Sequence, residues 1–255
     1  MQTWRLIDNL KPLAGKTNMA IDSVFLNSLA REEILSTLRF YQWQEPTITL
    51  GYSQKIEEEV FFEKTLQDQI PVIRRITGGG AVFHEKELTY SCFIPLKYPF
   101  LPENIIESYK FILQPFIETF HEYSLPVKFS PINDLKINEL KISGNAQSRK
   151  KGILLQHGTI LLDLSKEKIF NYLKRDLKKN KIIALKDFLG EKVLEEKFKI
   201  DFISKVVNNF TKLYDLSFEN QALTLKEEQE ANILAKQYFD NNSWNLKRSE
   251  SKGKL

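Results

Sequence analysis

Residues 74–90 read RRITGGGAVFHEKELTY. Three consecutive glycines separate two runs with strand character, IPVIRRI and AVFHEKELTYSCFIP. A glycine run breaks any helix and makes a turn, so the middle of this chain has to be built from strands on either side of that turn. Other segments repeat the signal. TWRLID alternates near the N-terminus, and TLRFYQW and EPTITLGYS read as two strands broken around Glu45-Pro46. Further on, NDLKINELKI has a hairpin pattern, and ILLQHGTILLDL is continuous enough for a buried strand. Helical spacing appears between them. TNMAIDSVFLNSLAR places Met19, Ile21, Val24, Phe25 and Leu29 on one stripe, with Thr17 or Asn18 as a cap. EEEVFFEKTLQDQ predicts an acidic amphipathic helix, residues 102–123 predict another, and from Lys166 to about Arg248 the composition turns helical and lysine-rich. The expected class is α/β in the broad sense (α+β): a mixed sheet flanked by helices. No linker, repeat or low-complexity block divides the chain. The expected organisation is therefore a single domain over residues 1–248, a polar tail at 249–255, and no separate C-terminal domain.

Composition narrows the function classes. Of 255 residues, 42% are hydrophobic and 18 are Phe, enough for a sizeable aromatic core. The net charge of +4 suits an anionic ligand or an acidic partner but is too small to argue for nucleic acid. One cysteine, Cys92, excludes an internal disulfide and a multi-cysteine metal site, and predicts a cytoplasmic setting. The start, MQTWRLIDNL, lacks the pattern of a signal peptide, and no apolar window is long enough to suggest a membrane partner.

Three clusters carry candidate chemistry. In RRITGGGAVFH, glycine lets backbone approach a ligand closely, and a flanking guanidinium suits carboxylate or phosphate. Strand periodicity puts Arg74 and Arg75 on opposite faces, so one of the two reaches the ligand. The loop is not a P-loop, because GK[ST] is absent; a loose turn is the alternative reading. In NDLKINELKISGNAQ, Lys141 stands beside the small residues Ser143, Gly144 and Ala146. It is either a solvated strand-end lysine or a point charge for a reacting carboxylate or phosphate. Asp134 is a candidate to orient Lys141 or to hold Mg²⁺; an Asn133-Asp134 turn would look the same. In QHGTILL, His157 precedes Gly158 and Thr159. It is either structural or a general base, with no acid at a spacing that suggests an orienting partner.

These three motifs, in this order, resemble the lipoate–protein ligase A family and its relatives, the octanoyl- and lipoyl-transferases. NMAIDSVFL and RFYQWQEPTITLGYSQ are similar to that family too, so the resemblance runs from about residue 3 to residue 165 and continues weakly to SWNLKR. It implies a mostly antiparallel sheet flanked by helices, like the catalytic domain of biotin and lipoate ligases. For a ligase it implies ATP with Mg²⁺ and lipoate as substrate: the carboxylate attacks the α-phosphate, and the lysine of a lipoyl carrier domain (a dehydrogenase-complex E2 or a glycine-cleavage H protein) then attacks lipoyl-AMP. In that scheme Lys141 is catalytic. Arg75, Gly78, Gly79, Gly80, Ala81, Val82, Phe83, His84, Asn133, Asp134, Ser143, Gly144, Asn145, Ala146, His157, Gly158 and Thr159 surround nucleotide and substrate. The acyl slot is expected at Phe40, Trp43, Gly51, Tyr52 and Gln54. A separate accessory subunit is a further implied partner.

Ligases need no cysteine nucleophile, and the transferases that this chain resembles use one. In LTYSCFIP, Cys92 shares a strand face with Tyr90 and Ile94 and has no adjacent cation to activate it. The segment PVKFSPIND and residues 157–255 contain no cysteine either. The expectation is therefore an ATP-dependent ligase. A cysteine-dependent octanoyl or lipoyl transferase and a non-catalytic acyl- or nucleotide-binding homologue are the alternatives. GYSQ, QHGTILLDLS and SWNLKR pull toward the transferase branch, and Glu85 stands where the family commonly has Asp.

Overall fold

A computed structural model describes residues 2–174 and 181–247. The expected tail at 249–255 lies outside them. The strands are β1 (Gln2–Ile7), β2 (Thr37–Tyr41), β3 (Thr47–Leu50), β4 (Val72–Arg74), β5 (Val82–His84), β6 (Glu87–Pro95), β7 (Lys128–Ser130), β8 (Asp134–Ile137), β9 (Leu140–Lys150), β10 (Ile153–Leu161) and β11 (Leu216–Asn220). The α-helices are α1 (Gly15–Ala30), α2 (Ile56–Glu59), α3 (Phe62–Gln67), α4 (Ile105–Glu122), α5 (Lys166–Tyr172), α6 (Lys186–Leu189), α7 (Glu196–Tyr214), α8 (Leu225–Leu234) and α9 (Asn242–Asn245).

Two sheets form. The larger runs β11-β1-β2-β6-β10-β9-β8-β7 and the smaller β4-β3-β5. Pairing is antiparallel from β2 through to β7, and parallel for β1 with β2 and with β11 and for β3 with β4. The class is the expected one, a mixed and mostly antiparallel sheet flanked by helices. The hairpin in NDLKINELKI turns at Asn138 and Glu139, whose φ values of 46° and 66° lie in the left-handed region that Asn tolerates.

The large sheet is covered on both faces, which explains why β10 reads as an unbroken apolar run. On β6, Leu88, Tyr90, Cys92 and Ile94 point into a core shared with Ile112, Phe116 and Phe120 of α4 and Phe202 and Phe210 of α7. The alternate residue Phe93 faces the other way and meets Phe25 of α1 with ring centroids 5.6 Å apart. The predicted facing of Cys92 is observed. Side chains on the α1 face of the large sheet look across a cleft at the smaller sheet, and that cleft positions the site.

Several local readings need correction. Helix α1 starts at Gly15, two residues before Thr17, with Ala14 at the cap position and no side-chain cap. EEEVFFEKTLQDQ is two short helices, because Val60 between them is extended and bridges to Leu173. AVFHEKELTYSCFIP divides into two strands that belong to different sheets. Strand β11 interrupts the stretch read as helical. Among the described residues, no helix is long and apolar enough to cross a membrane.

Candidate functional site

A cleft open to solvent lies between the two sheets. Its lining comes from every part of the fold: Met19 of α1, Tyr41 and Trp43 from and after β2, Thr49 of β3, Arg75, Gly79 and Gly80 of the glycine loop, Val82 and His84 of β5, Thr89 of β6, Asn133, Lys141, Gly144, Asn145 and Ala146, and His157, Gly158 and Thr159 of β10. All three sequence motifs thus meet in one place.

Lys141 sits at the start of β9, its backbone N–H donating to the Lys181 carbonyl and its own carbonyl accepting from Ile183 N–H. Its Nζ lies 2.7 Å from Asp134 Oδ1. That carboxylate oxygen makes no aligned hydrogen bond, so the attraction is mainly Coulombic. Asp134 therefore stands directly beside the Lys141 ammonium. Gly144 makes the geometry feasible, since a Cβ there would lie 2.7 Å from both Cε and Nζ of Lys141.

Arg75 and Arg74 do face opposite ways. Arg75 lines the cleft; its Nη2 donates to the Gly78 and Gly80 carbonyls at 2.6 and 2.9 Å, which fixes the loop. The glycines are thus a clamped turn, with φ of +89° at Gly79. Arg74 is buried on the far side. It donates through Nη1 to the carbonyls of Gly51, Tyr52 and Gln54 and through Nε to that of Trp244, while Trp244 Nε1 donates to the Arg74 carbonyl.

Two threonine–histidine–carboxylate chains flank Arg75. In one, Thr49 Oγ1 is 2.8 Å from His84 Nε2, and His84 Nδ1 is 2.6 Å from Glu87 Oε1. In the other, Thr77 Oγ1 is 2.6 Å from His157 Nε2, and His157 Nδ1 is 3.4 Å from Asp22 Oδ2. Burial pushes the His157 pKa below its ordinary value; Asp22 pulls it back up, and Arg75 and His84 push it down. The sequence reading gave His157 no acidic partner. Asp22 is that partner, 135 residues upstream, where α1 brings it against the sheet.

Other expectations fare unevenly. Trp43 lines the cleft and stacks on His84 at 3.9 Å. Phe40 does not; it is fully buried on the opposite face of the sheet against Phe116, because strand alternation separates it from Tyr41. Gly51, Tyr52 and Gln54 form a loop behind the site. A Cβ on Gly51 would lie 1.9 Å from the Gly79 carbonyl oxygen, so this residue lets the two loops pack together. Phe83 packs on Tyr172 at 5.5 Å, Ala81 is buried in the same small core, and neither faces the cleft. Ser143 lies beneath it, 3.3 Å from Asn145 Nδ2, and Gly78 contributes a carbonyl to the Arg75 clamp. Glu85 pairs with Lys168 at the surface. The sequence reading missed Met19, Tyr41, Thr49 and Thr89, which look like ordinary core or strand residues until the chain folds.

Asn145 and Gly158 show how closely the centre is fitted. Asn145 Nδ2 donates to the Asn133 carbonyl at 2.8 Å, and its Oδ1 accepts from Tyr90 OH at 2.8 Å. A Cβ on Gly158 would fall 1.9 Å from that same Oδ1. Cys92 is completely buried on the other face, and burial pushes its thiol well above the ordinary range.

Comparison with known proteins fixes the family. The lipoyl protein ligase A/B catalytic domain matches residues 14–207. The chain is 32% identical to the octanoyltransferase LipM of Halalkalibacterium halodurans over 97% of this chain and 100% of that one. It is 33% identical to LipM of Clostridioides difficile, with 97% and 100% covered. Similar folds occur in lipoate-protein ligase A bound with ATP (TM-score 0.83, 22% identity, 96% and 99% covered) and in the bipartite lipoate protein ligase of Thermoplasma acidophilum (TM-score 0.82, 21%, 99% of each). The full-length likeness to octanoyltransferases overturns the expectation of an ATP-dependent ligase passing through lipoyl-AMP. The facing of Cys92 was read correctly; the step from a missing thiol to adenylate chemistry does not hold. GYSQ, QHGTILLDLS and SWNLKR were the features that pulled toward the transferase branch. The chain belongs to the lipoyl protein ligase A/B catalytic domain family.

Proposed function

We propose that this protein is an octanoyltransferase, moving an octanoyl group from a thioester on a carrier protein to the ε-amine of a lysine on a lipoyl domain. The observation that carries this reading is an ammonium, Lys141, at an apolar cleft lined by Met19, Tyr41, Trp43, Val82 and Ala146. The cleft suits an alkyl chain, and the ammonium suits the carbonyl oxygen that becomes negative when the thioester is attacked. The full-length likeness to octanoyltransferases supports the same substrate class. In this scheme Lys141 stabilises the tetrahedral oxyanion, Asp134 holds Lys141 in place, and Arg75 holds the glycine loop over the acyl group. Cys92, buried on the wrong face of the sheet, takes no part. The expected setting is the cytoplasm, with the octanoyl carrier and the lipoyl domain as partners.

The test is to mix the protein with an octanoylated carrier protein and an unmodified lipoyl domain, without ATP, and to weigh the lipoyl domain. Transfer is expected, and Lys141→Ala is expected to slow it by roughly 10²–10³-fold. No gain of mass on the lipoyl domain in the absence of ATP would overturn the reading.

A further inference from the structure

Transfer by two displacements needs a nucleophile on the enzyme, and the one cysteine is out of reach of the cleft. The two threonine–histidine–carboxylate chains are the other groups with that chemistry. Proton positions in the first chain follow from its donors. Trp43 Nε1 can only donate, and does so to Thr89 Oγ1 at 2.8 Å. Thr89 therefore gives its own proton to Glu87 Oε1 at 2.7 Å. The same Oε1, 2.6 Å from His84 Nδ1, accepts from it and fixes the tautomer. With a single proton on the ring, His84 Nε2 then turns its lone pair to Thr49 Oγ1, 2.8 Å away. Arg75 Nη1 donates to that oxygen at 3.1 Å, placing a positive charge on the atom that would become negative. Glu87 is 3% exposed, and its Oε1 is shared between His84 Nδ1 and Thr89 Oγ1, in the manner of an acid that orients a base.

The second chain is built alike but placed differently. Thr77 and Thr49 are both buried, 0% and 1% exposed, but Thr77 does not line the cleft, and His157 to Asp22 is longer at 3.4 Å. Thr49 and His84 line the cleft itself.

Resting on the transferase reading, we propose that Thr49 is the enzyme nucleophile, with His84 as its general base and Glu87 as the residue that positions His84. In the first step His84 Nε2 takes the Thr49 proton, Oγ1 bonds to the thioester carbonyl carbon, and the C–S bond breaks. His84 passes the proton to the departing thiolate. The product is an octanoyl ester on Thr49. In the second step the unprotonated lysine amine of the acceptor attacks the ester, His84 takes its proton, the C–O bond breaks, and the proton returns to Thr49 Oγ1. The sum is thioester plus amine giving amide plus thiol, with no nucleotide and no redox change.

The experiment incubates the full-length protein with octanoyl-N-acetylcysteamine, quenches in acid, and maps the modified peptide by mass spectrometry; a parallel sample adds a lipoyl domain. One octanoyl group is expected on Thr49, stable to neutral hydroxylamine and released by alkaline hydroxylamine, as an oxygen ester is. Cys92→Ala keeps the adduct, Thr49→Ser keeps it, and Thr49→Val loses it and slows transfer by roughly a thousandfold or more. Absence of an adduct on wild-type Thr49, or an adduct on another residue, overturns the proposal. If octanoyl still reaches the lipoyl domain in that case, the transferase reading stands without it. A Thr49 adduct with no transfer to the lipoyl domain would support the nucleophile and remove the assigned acceptor. The wild-type and Thr49→Ser results decide the matter even if Thr49→Val fails to fold.

Discussion

His157 shows what a single residue contributes when the fold rather than its neighbours supplies its partners. It is buried and neutral, its Nε2 2.6 Å from Thr77 Oγ1 and its Nδ1 facing Asp22, with Arg75 and His84 nearby. Its folded pKa lies below the ordinary 6.5. On acidification the unfolded chain takes up a proton first, so stability rises with pH across the window between the folded value and about 6.5 and is complete above it. The expected result is a urea midpoint that falls between about pH 7 and pH 5 more steeply in wild type than in His157→Gln, which keeps a donor and an acceptor. Equal slopes would show that His157 does not carry this linkage. The same residue marks where sequence reading stops. Lys141, Arg75 and Gly144 were legible because charge beside small residues signals close approach within a few positions. Asp22, Thr49 and Thr89 were not, since they meet site residues on other elements: His157 is 135 residues from Asp22, His84 is 35 from Thr49 and Trp43 is 46 from Thr89.

At the scale of elements, the strands around the glycine loop were legible from their alternation, and so was the facing of β6. Strand β11 was not. It is a five-residue run in lysine-rich surroundings, and it exists because β1, more than 200 residues away, offers an edge to pair with. The short helix α9 is similar: SWNL has little helical signal, and its role appears only where Arg74 binds it. Trp244 is 2% exposed, packs near Tyr52, Tyr238 and Phe239, and hydrogen-bonds to the Arg74 carbonyl. Arg74 in turn holds the Gly51–Gln54 loop, against which Gly79 rests. Trp244→Ala is therefore expected to cost about 3–5 kcal/mol in urea unfolding. It should also speed amide exchange in the Gly51–Gln54 and Thr77–Gly80 loops more than in β10, whose ladder does not depend on it. Uniform acceleration across the chain would show that the tryptophan supports the core and not the loops.

Over the whole molecule, β11 pairs along β1, and α8 is tied to the same first strand by a buried ion pair. Arg5 of β1 and Glu227 of α8 are 2% and 5% exposed. Arg5 also donates to the Ala222 carbonyl at 2.8 Å, and Glu227 closes a capping box with Thr224 at the start of α8. Burial works against the Glu227 charge, but the hydrogen bond and charge of Arg5 prevail and lower its pKa. Its contribution is thus present above the ordinary carboxylate range and lost as pH falls through the lowered value. Removing either partner leaves the other charge buried, so Glu227→Ala and Arg5→Ala are each expected to cost about 3–5 kcal/mol. Arg5→Met with Glu227→Leu removes both charges and keeps apolar volume beside Phe25, whose ring lies 5.1 Å from the guanidinium. This pair of changes is expected to cost far less than the two single losses together. Additive losses would mean that the pair is not what closes the chain's two ends on each other. A small loss in the double variant would show that packing of α8 on α1 suffices, with the charges setting where β1 and α8 register.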